Sequence, residues 1–206
     1  RLRSPTLLTL RRCLCMYVRR FGLLTCKRSR MAEAWKQHCD AEFEQKSVDS
    51  TMETMEKPSY VLNIPTCVGG KGVAGITAFY DNDFVGKTPE DTKTTRLRLT
   101  VDPKSSTLVD EMLFEFTHSI DMPWMLPGVA PTGKKVSVPL VVSVGFSEDG
   151  RKVVSERIYW DQASVLQQIG KLELNQKVGK LPIVGKRQAN TLLDPESLIG
   201  THCPAK

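Results

Sequence analysis

Not one acidic side chain stands in the first thirty residues of this 206-residue chain, whereas Arg1, Arg3, Arg11, Arg12, Arg19, Arg20, Lys27, Arg28 and Arg30 all do. Taking those nine from the 29 lysines and arginines leaves 20 bases against 23 acids over 31–206, so the formal charge of +6 belongs to the extension and the body is mildly acidic. A basic groove that tracks phosphates is thereby excluded, and no nucleic-acid partner is expected. Long apolar runs are missing as well. Leu7-Leu8 and the stretch from Leu14 to Val18 are cut short by arginine pairs, too short for a span, and no membrane partner is expected. Cysteine pairs are the third absence. Cys13, Cys15 and Cys26 lie in the extension; Cys39, Cys67 and Cys203 are far apart, with no CxxC and no His at ligand spacing beside them. A zinc site or disulfide framework is not expected, and a reduced compartment fits.

What the extension does contain, Arg with Ser and Thr between short apolar runs, suits a mitochondrial transit peptide over residues 1–30. The competing reading is that it is not translated and that Met31 opens the protein, in which case a cytoplasmic location is expected.

Helical spacing runs from Ala32 to about Met55, through Trp35, Cys39, Phe43, Val48 and Met52, and Pro58 is expected to stop it. Tyr60 to Ile64 reads as a short extended stretch before Pro65 and the Gly69–Gly72 turn. A second helix is predicted from about Val73 to Phe84. Beyond it the period changes to two. Thr94 to Val101, Leu108 to His118, Val136 to Phe146 and Lys152 to Trp160 read as strands, with Asp102–Ser105 and Glu148-Asp149-Gly150 as turns. Asp161 is placed to cap a last helix ending at Gly170. Helices followed by antiparallel strands make an α+β domain. Its sheet, strongly curved around the N-terminal helices, would leave a pocket at one end. Residues 173–206 read as a tail packed outside, with a short helix around Lys186 to Leu193.

Phe116-Thr117-His118-Ser119, Pro131-Thr132-Gly133-Lys134-Lys135-Val136, Glu148-Asp149-Gly150, and Tyr159-Trp160-Asp161-Gln162 through Gln167-Gln168-Ile169-Gly170 follow one another in an order that resembles the SnoaL-like polyketide cyclases. These belong to the cone-shaped, nuclear-transport-factor-2-like fold, together with ketosteroid isomerase, scytalone dehydratase and limonene epoxide hydrolase. Trp124 to Gly128 is similar to a subgroup found alone or joined to dienelactone hydrolases. The resemblance spans roughly 33–172. It implies the fold with a mainly antiparallel, strongly curved sheet, and a reaction must still be argued from the site.

His118 shares a strand face with Phe114 and Phe116 and is a candidate general base or acid; a core histidine is the other reading. Asp161 matches the Asp that precedes the closing helix in the family, where a desolvated carboxylate could remove a proton next to a carbonyl; it could equally cap the helix. Tyr159 is the third catalytic candidate, on the face opposite Glu156 in an ideal strand. The family's Glu-His is here Glu156-Arg157, which removes one acid–base candidate. Asn63 could orient a substrate oxygen or hold its turn. Phe114, Phe116, Trp124 and Trp160 are taken as ligand-binding. Met122, Trp124 and Met125 suggest a lid or, more economically, a surface half-buried in a homodimer.

Two echoes fail on spacing. Gly86-Lys87-Thr88 lacks the glycine of a phosphate loop, Asp81 standing there, and Pro65 and Gly69 around Cys67 do not make a nucleophile elbow. The expected function is a pocket for a small apolar carbonyl-type ligand, with cofactor-free proton transfer of isomerase or cyclase type. No cofactor or metal is expected. A non-catalytic binding or dimerisation module, including an accessory partner of a dienelactone hydrolase-type enzyme, is the alternative.

Overall fold

Met31, Ala34, Trp35 and His38 are buried at three- and four-residue steps, which commits the first helix to one apolar stripe. The structure, a computed structural model, describes residues 24–172; the expected C-terminal tail and most of the expected transit segment lie outside them. Helix α1 covers 24–39, so it begins ahead of Met31. Lys27 Nζ reaches Ser106 Oγ at 2.6 Å and Arg30 Nε donates to the Asp149 carbonyl at 2.9 Å, which fastens residues before Met31 to the body.

The single helix expected from Ala32 to Met55 is in fact two. α1 widens into a five-residue π-helical turn, Asp40–Glu44, closed by the Gln45 N–H to the Asp40 carbonyl at 2.9 Å. Lys46 then takes a positive φ of 49°, and α2, Val48–Glu53, starts afresh under a Ser47 cap that accepts from the Ser50 N–H. A helical period survives such a break in sequence, because each helix still buries one face.

Strand β1 (Met55–Asn63) turns into β2 (Val68–Lys71), and α3 (Gly72–Phe79) ends in a second π-helical turn, Tyr80–Phe84. β3 (Lys93–Asp102), β4 (Thr107–Thr117), β5 (Lys135–Phe146), β6 (Val153–Trp160) and α4 (Gln162–Gln168) complete the chain's described part. One mixed sheet results, in the order β2-β1-β6-β5-β4-β3. The antiparallel strands expected from alternation are present. β1 adds a parallel pairing with β6, and its register shifts between Met55 and Tyr60, the stretch that contains Pro58. Proline is admitted to strands at such irregularities. Pro139 obeys the same rule: β6 reaches only as far as the Leu140–Trp160 pair, so at Pro139 the strand has one neighbour, β4, instead of two.

Cross-strand pairs set the inner face. Asp110 lies opposite Val142, Phe114 opposite Val138, Glu156 opposite Val144, and Trp160 opposite Leu140. The sheet curls this face against α1 and α3. The loop carrying Met122, Trp124, Met125 and Leu126 also tucks into the core, all four at 2% exposure or less. Trp124 packs against Phe84, Phe114 and Trp160. The half-buried Trp124 expected for a dimer surface is instead buried within one chain, because these aromatic rings already surround it.

α3 sits on the β2 edge through a backbone contact that admits no side chain. A Cβ at Gly70 would fall 2.2 Å from the Gly75 carbonyl oxygen, whereas one at Gly75 would find its nearest atom at 3.7 Å. Gly70→Ala should therefore cost about 1–3 kcal/mol or more, while Gly75→Ala, inside a helix, should gain about 0.8–1.0 kcal/mol. Urea melts of the two variants read the contrast, and effects of the same sign would remove the close contact from the explanation.

Candidate active site

α1 carries His38, the π-helical turn that continues it carries Glu42 four residues on along the buried side, and β6 brings Glu156 to the same point from the sheet. His38 Nε2 lies 2.8 Å from Glu156 Oε1 and 3.2 Å from Glu42 Oε1. Its other nitrogen, Nδ1, meets Thr54 Oγ1, and the Thr54 hydroxyl donates to the Thr51 carbonyl at 2.6 Å. The hydroxyl proton being committed, Nδ1 must be the donor in that contact. Tyr80, at the head of the second π-helical turn, donates its hydroxyl to Glu156 Oε1 at 3.3 Å.

Electrostatics follow from burial. Removing His38 from water works against its charge, but Glu156 and Glu42 outweigh that and hold the imidazolium pKa up at about 10. Burial raises the Glu42 carboxyl above its ordinary range, with His38 opposing and Glu156 adding to the rise. Burial and both carboxylates push the Tyr80 phenol well up, so it stays a donor. Burial likewise raises the neighbouring Cys39 thiol, which makes it a poor thiolate nucleophile.

Glu42 and Glu156 line a cavity of about 430 Å³, while His38 and Tyr80 stand behind them. The rest of the wall is largely apolar: Val61, Phe79, Phe84, Met112, Phe114, Leu140, Val142 and Ile158. A second polar group stands elsewhere on the wall. Asp110, fully buried, accepts from Trp35 Nε1 at 2.8 Å and from Arg96 through Nε at 2.8 Å and Nη2 at 2.6 Å. Among the described residues, three buried polar atoms on cavity-lining side chains lack a protein partner: Asn63 Oδ1, Thr92 Oγ1 and Trp124 Nε1. The donors of His38, Glu42 and Glu156 lie within 4.8 Å of one another, a spacing a divalent cation could span. In this structure the imidazole joins the two carboxylates itself.

Of the residues singled out in the sequence, Asn63, Phe114 and Trp124 line this cavity. Asn63 also holds its turn, Nδ2 donating to the Val68 carbonyl at 3.1 Å. His118 and Asp161 do not line it. His118 is buried beside the turn at Thr132, Nδ1 being 3.2 Å from Thr132 Oγ1, and its backbone carbonyl takes the N–H groups of Thr132 and Gly133. Burial lowers its pKa. Asp161 caps α4, accepting from the Ala163 N–H at 3.0 Å and from Ser164 Oγ at 2.5 Å. Tyr159 points away from the core at 41% exposure, whereas Glu156, Ile158 and Trp160 share the inner face. Phe116 lines a smaller hollow of about 250 Å³ with Lys93, Glu115 and Lys135. Trp160 donates to Gln162, which in turn donates to the Met125 carbonyl and steadies the Trp124 loop. Sequence reasoning missed His38, Glu42 and Tyr80. The available signal was the four-residue step from His38 to Glu42 on a helix face that is otherwise apolar.

A histidine titrating near 10 when folded, against about 6.5 when unfolded, binds more protons in the native state over that interval. Its contribution to stability is complete below about pH 6.5 and is lost as pH rises toward 10. Glu42, also raised, acts in the same direction from its ordinary range upward. Denaturant melts should show stability falling from neutral to alkaline pH, with a flatter slope for His38→Gln. An unchanged slope in that variant would sink the assignment.

No protein-family model matches the sequence, and no curated protein sequence does. Solved structures do match. A protein from Jannaschia sp. CCS1, assigned as a SnoaL-like polyketide cyclase, superposes with a TM-score of 0.55 at 17% identity, over 71% of this chain and 95% of its own. One from Acidithiobacillus ferrooxidans, assigned as a polyketide cyclase, gives 0.54 at 18%, over 70% and 96%. A hypothetical protein of ketosteroid-isomerase-like fold from Catenulispora acidiphila, in complex with trimethylamine, gives 0.50 at 13%, over 67% and 92%. The curled sheet, the helices on its inner face and these superpositions identify the architecture as the cone-shaped α+β fold that these proteins share.

Proposed function

We propose that this protein is a cofactor-free proton-transfer enzyme of isomerase or cyclase type, acting on a small, largely apolar carbonyl compound with Glu156 as the base. One observation carries the reading: Glu156 faces the cavity with Oε1 held by His38 and Tyr80, while among the described residues no hydrogen bond engages Oε2. A carboxylate fixed by one oxygen and free at the other is oriented without being consumed by its supports. His38 and Tyr80 are positioning residues, since neither lines the cavity. The apolar wall keeps bulk water from the carboxylate and from the carbon it would deprotonate. Trp124 Nε1 and Thr92 Oγ1, donors without a partner among the described residues, suit the oxygen on which negative charge grows when that proton leaves. The proton passes from the carbon next to the carbonyl to Glu156 and is returned at the same or a conjugated carbon, so no oxidant or reductant is required.

Polar atoms left unpaired beside an open cavity favour a bound ligand over a vestigial pocket that serves dimerisation alone. The test is exchange. A panel of small cyclic ketones is incubated with the protein in deuterium oxide, and deuterium entering next to the carbonyl is followed by NMR. Protein-dependent exchange is expected, falling by roughly 10²-fold or more in Glu156→Gln but much less in Asp161→Asn. Full exchange in Glu156→Gln would discard Glu156 as the base.

A further inference from the structure

The sign of the cavity's charge narrows what can occupy it. Six acids line it: Asp40, Glu42, Glu44, Glu90, Asp110 and Glu156. Against them stand Lys46 and Arg96. Arg96 is spent on Asp110, through Nε and Nη2, and Lys46 is exposed at the rim. In the interior, two carboxylates share the one imidazole of His38, with Glu156 the nearer. Glu42 is thus a buried carboxylate, 5% exposed, without a full counter-charge. Such a group is costly to leave unmatched.

The walls beside it are suited to supplying what is missing. Phe79, Phe84, Phe114 and Trp124 line the cavity at differing inclinations, Phe84 at 57° and Phe114 at 79° to the Trp124 ring. Rings set at such angles present faces as well as edges, and an aromatic face attracts a cation. Asn63, fully buried and on the cavity wall, has an acceptor oxygen with no donor among the described residues. An anion would meet carboxylates and ring faces; a neutral hydrocarbon would leave Glu42 with only its share of His38 and would offer nothing to the Asn63 oxygen.

We infer that the ligand of this cavity carries a protonated amine, recognised by Glu42, the Asn63 side-chain oxygen and the faces of the surrounding aromatic rings. This rests on the cavity being the ligand site and names its substrate class: a small carbonyl compound with a basic nitrogen. Glu156 handles the proton, Glu42 the charge.

Three probes of similar size and different charge decide it: cyclohexylmethylamine, cyclohexylmethanol and cyclohexanecarboxylate, each titrated into the full chain at about pH 8 by calorimetry, where the amine is protonated. The ammonium should bind roughly tenfold tighter than the alcohol, with the carboxylate weakest. The gap should narrow at high salt, in Glu42→Gln, and in Phe84→Leu. If Glu42→Gln does not fold, the unaltered protein and Phe84→Leu still give the answer. Equal binding of amine and alcohol, no binding by any probe, or a gap unmoved by both substitutions overturns the inference. A charge preference without ketone deuteration removes only the proton-transfer reading, and deuteration without a charge preference removes only this one.

Discussion

A histidine held between two carboxylates, out of water, is the constraint on which this architecture turns. His38 ties α1 to β6 through Glu156, to α3's end through Tyr80, and to the start of β1 through Thr54. Burying three ionisable groups together is expensive unless their geometry is close to complete, because each loses its hydration. The fold meets that demand by gathering them where the helices press on the sheet. The apolar core surrounding the group makes the charges interact strongly, and the charges in turn fix how α1 lies on the sheet.

The Asp110 group repeats the device in a different register. Trp35, one helical turn before His38, stacks on the His38 ring and donates to Asp110, so a single helix face meets both polar groups. Arg96 closes this second group from β3. α1 is therefore pinned to β4 and β3 by Asp110 and Arg96, and to β6 by Glu156, while hydrophobic residues fill the space between. Two pins on one rod fix its rotation as well as its distance, which matters for a cavity whose floor is part of that rod.

Strands were legible in the sequence because a half-buried sheet writes period two directly into residue type; Phe114 and Phe116 on one side and Glu115 and Thr117 on the other needed no tertiary information. The break after α1 was not, since π-helical widening leaves no compositional mark and Lys46 is an ordinary residue in an unusual conformation. The site was less legible still. Glu156 and Tyr159 stood on opposite faces of an ideal strand with nothing to say which faced inward, and the register opposite Val144 with the burial of Glu156 settles it. His38 and Glu42 are two polar residues on an otherwise apolar helix stripe, and the sequence does not say that a strand more than a hundred residues later will meet them there. His118 and Asp161 drew notice because family motifs surround them. Their hydrogen bonds are local, to a turn and to a helix end, which is the kind of role a motif can carry without touching a ligand.

The two π-helical turns, Asp40–Glu44 and Tyr80–Phe84, supply Glu42, Phe43 and Phe84 to the same cavity, facing a wall made of regular strands. A widened turn differs from an ordinary one by a single residue. Gain or loss of one residue there would rotate the following side chains by roughly a quarter of a circle and leave the sheet's pairing untouched. This divides the chain's inheritance into two ledgers: the strands conserve the vessel, and the two turns are where descendants could change what it holds.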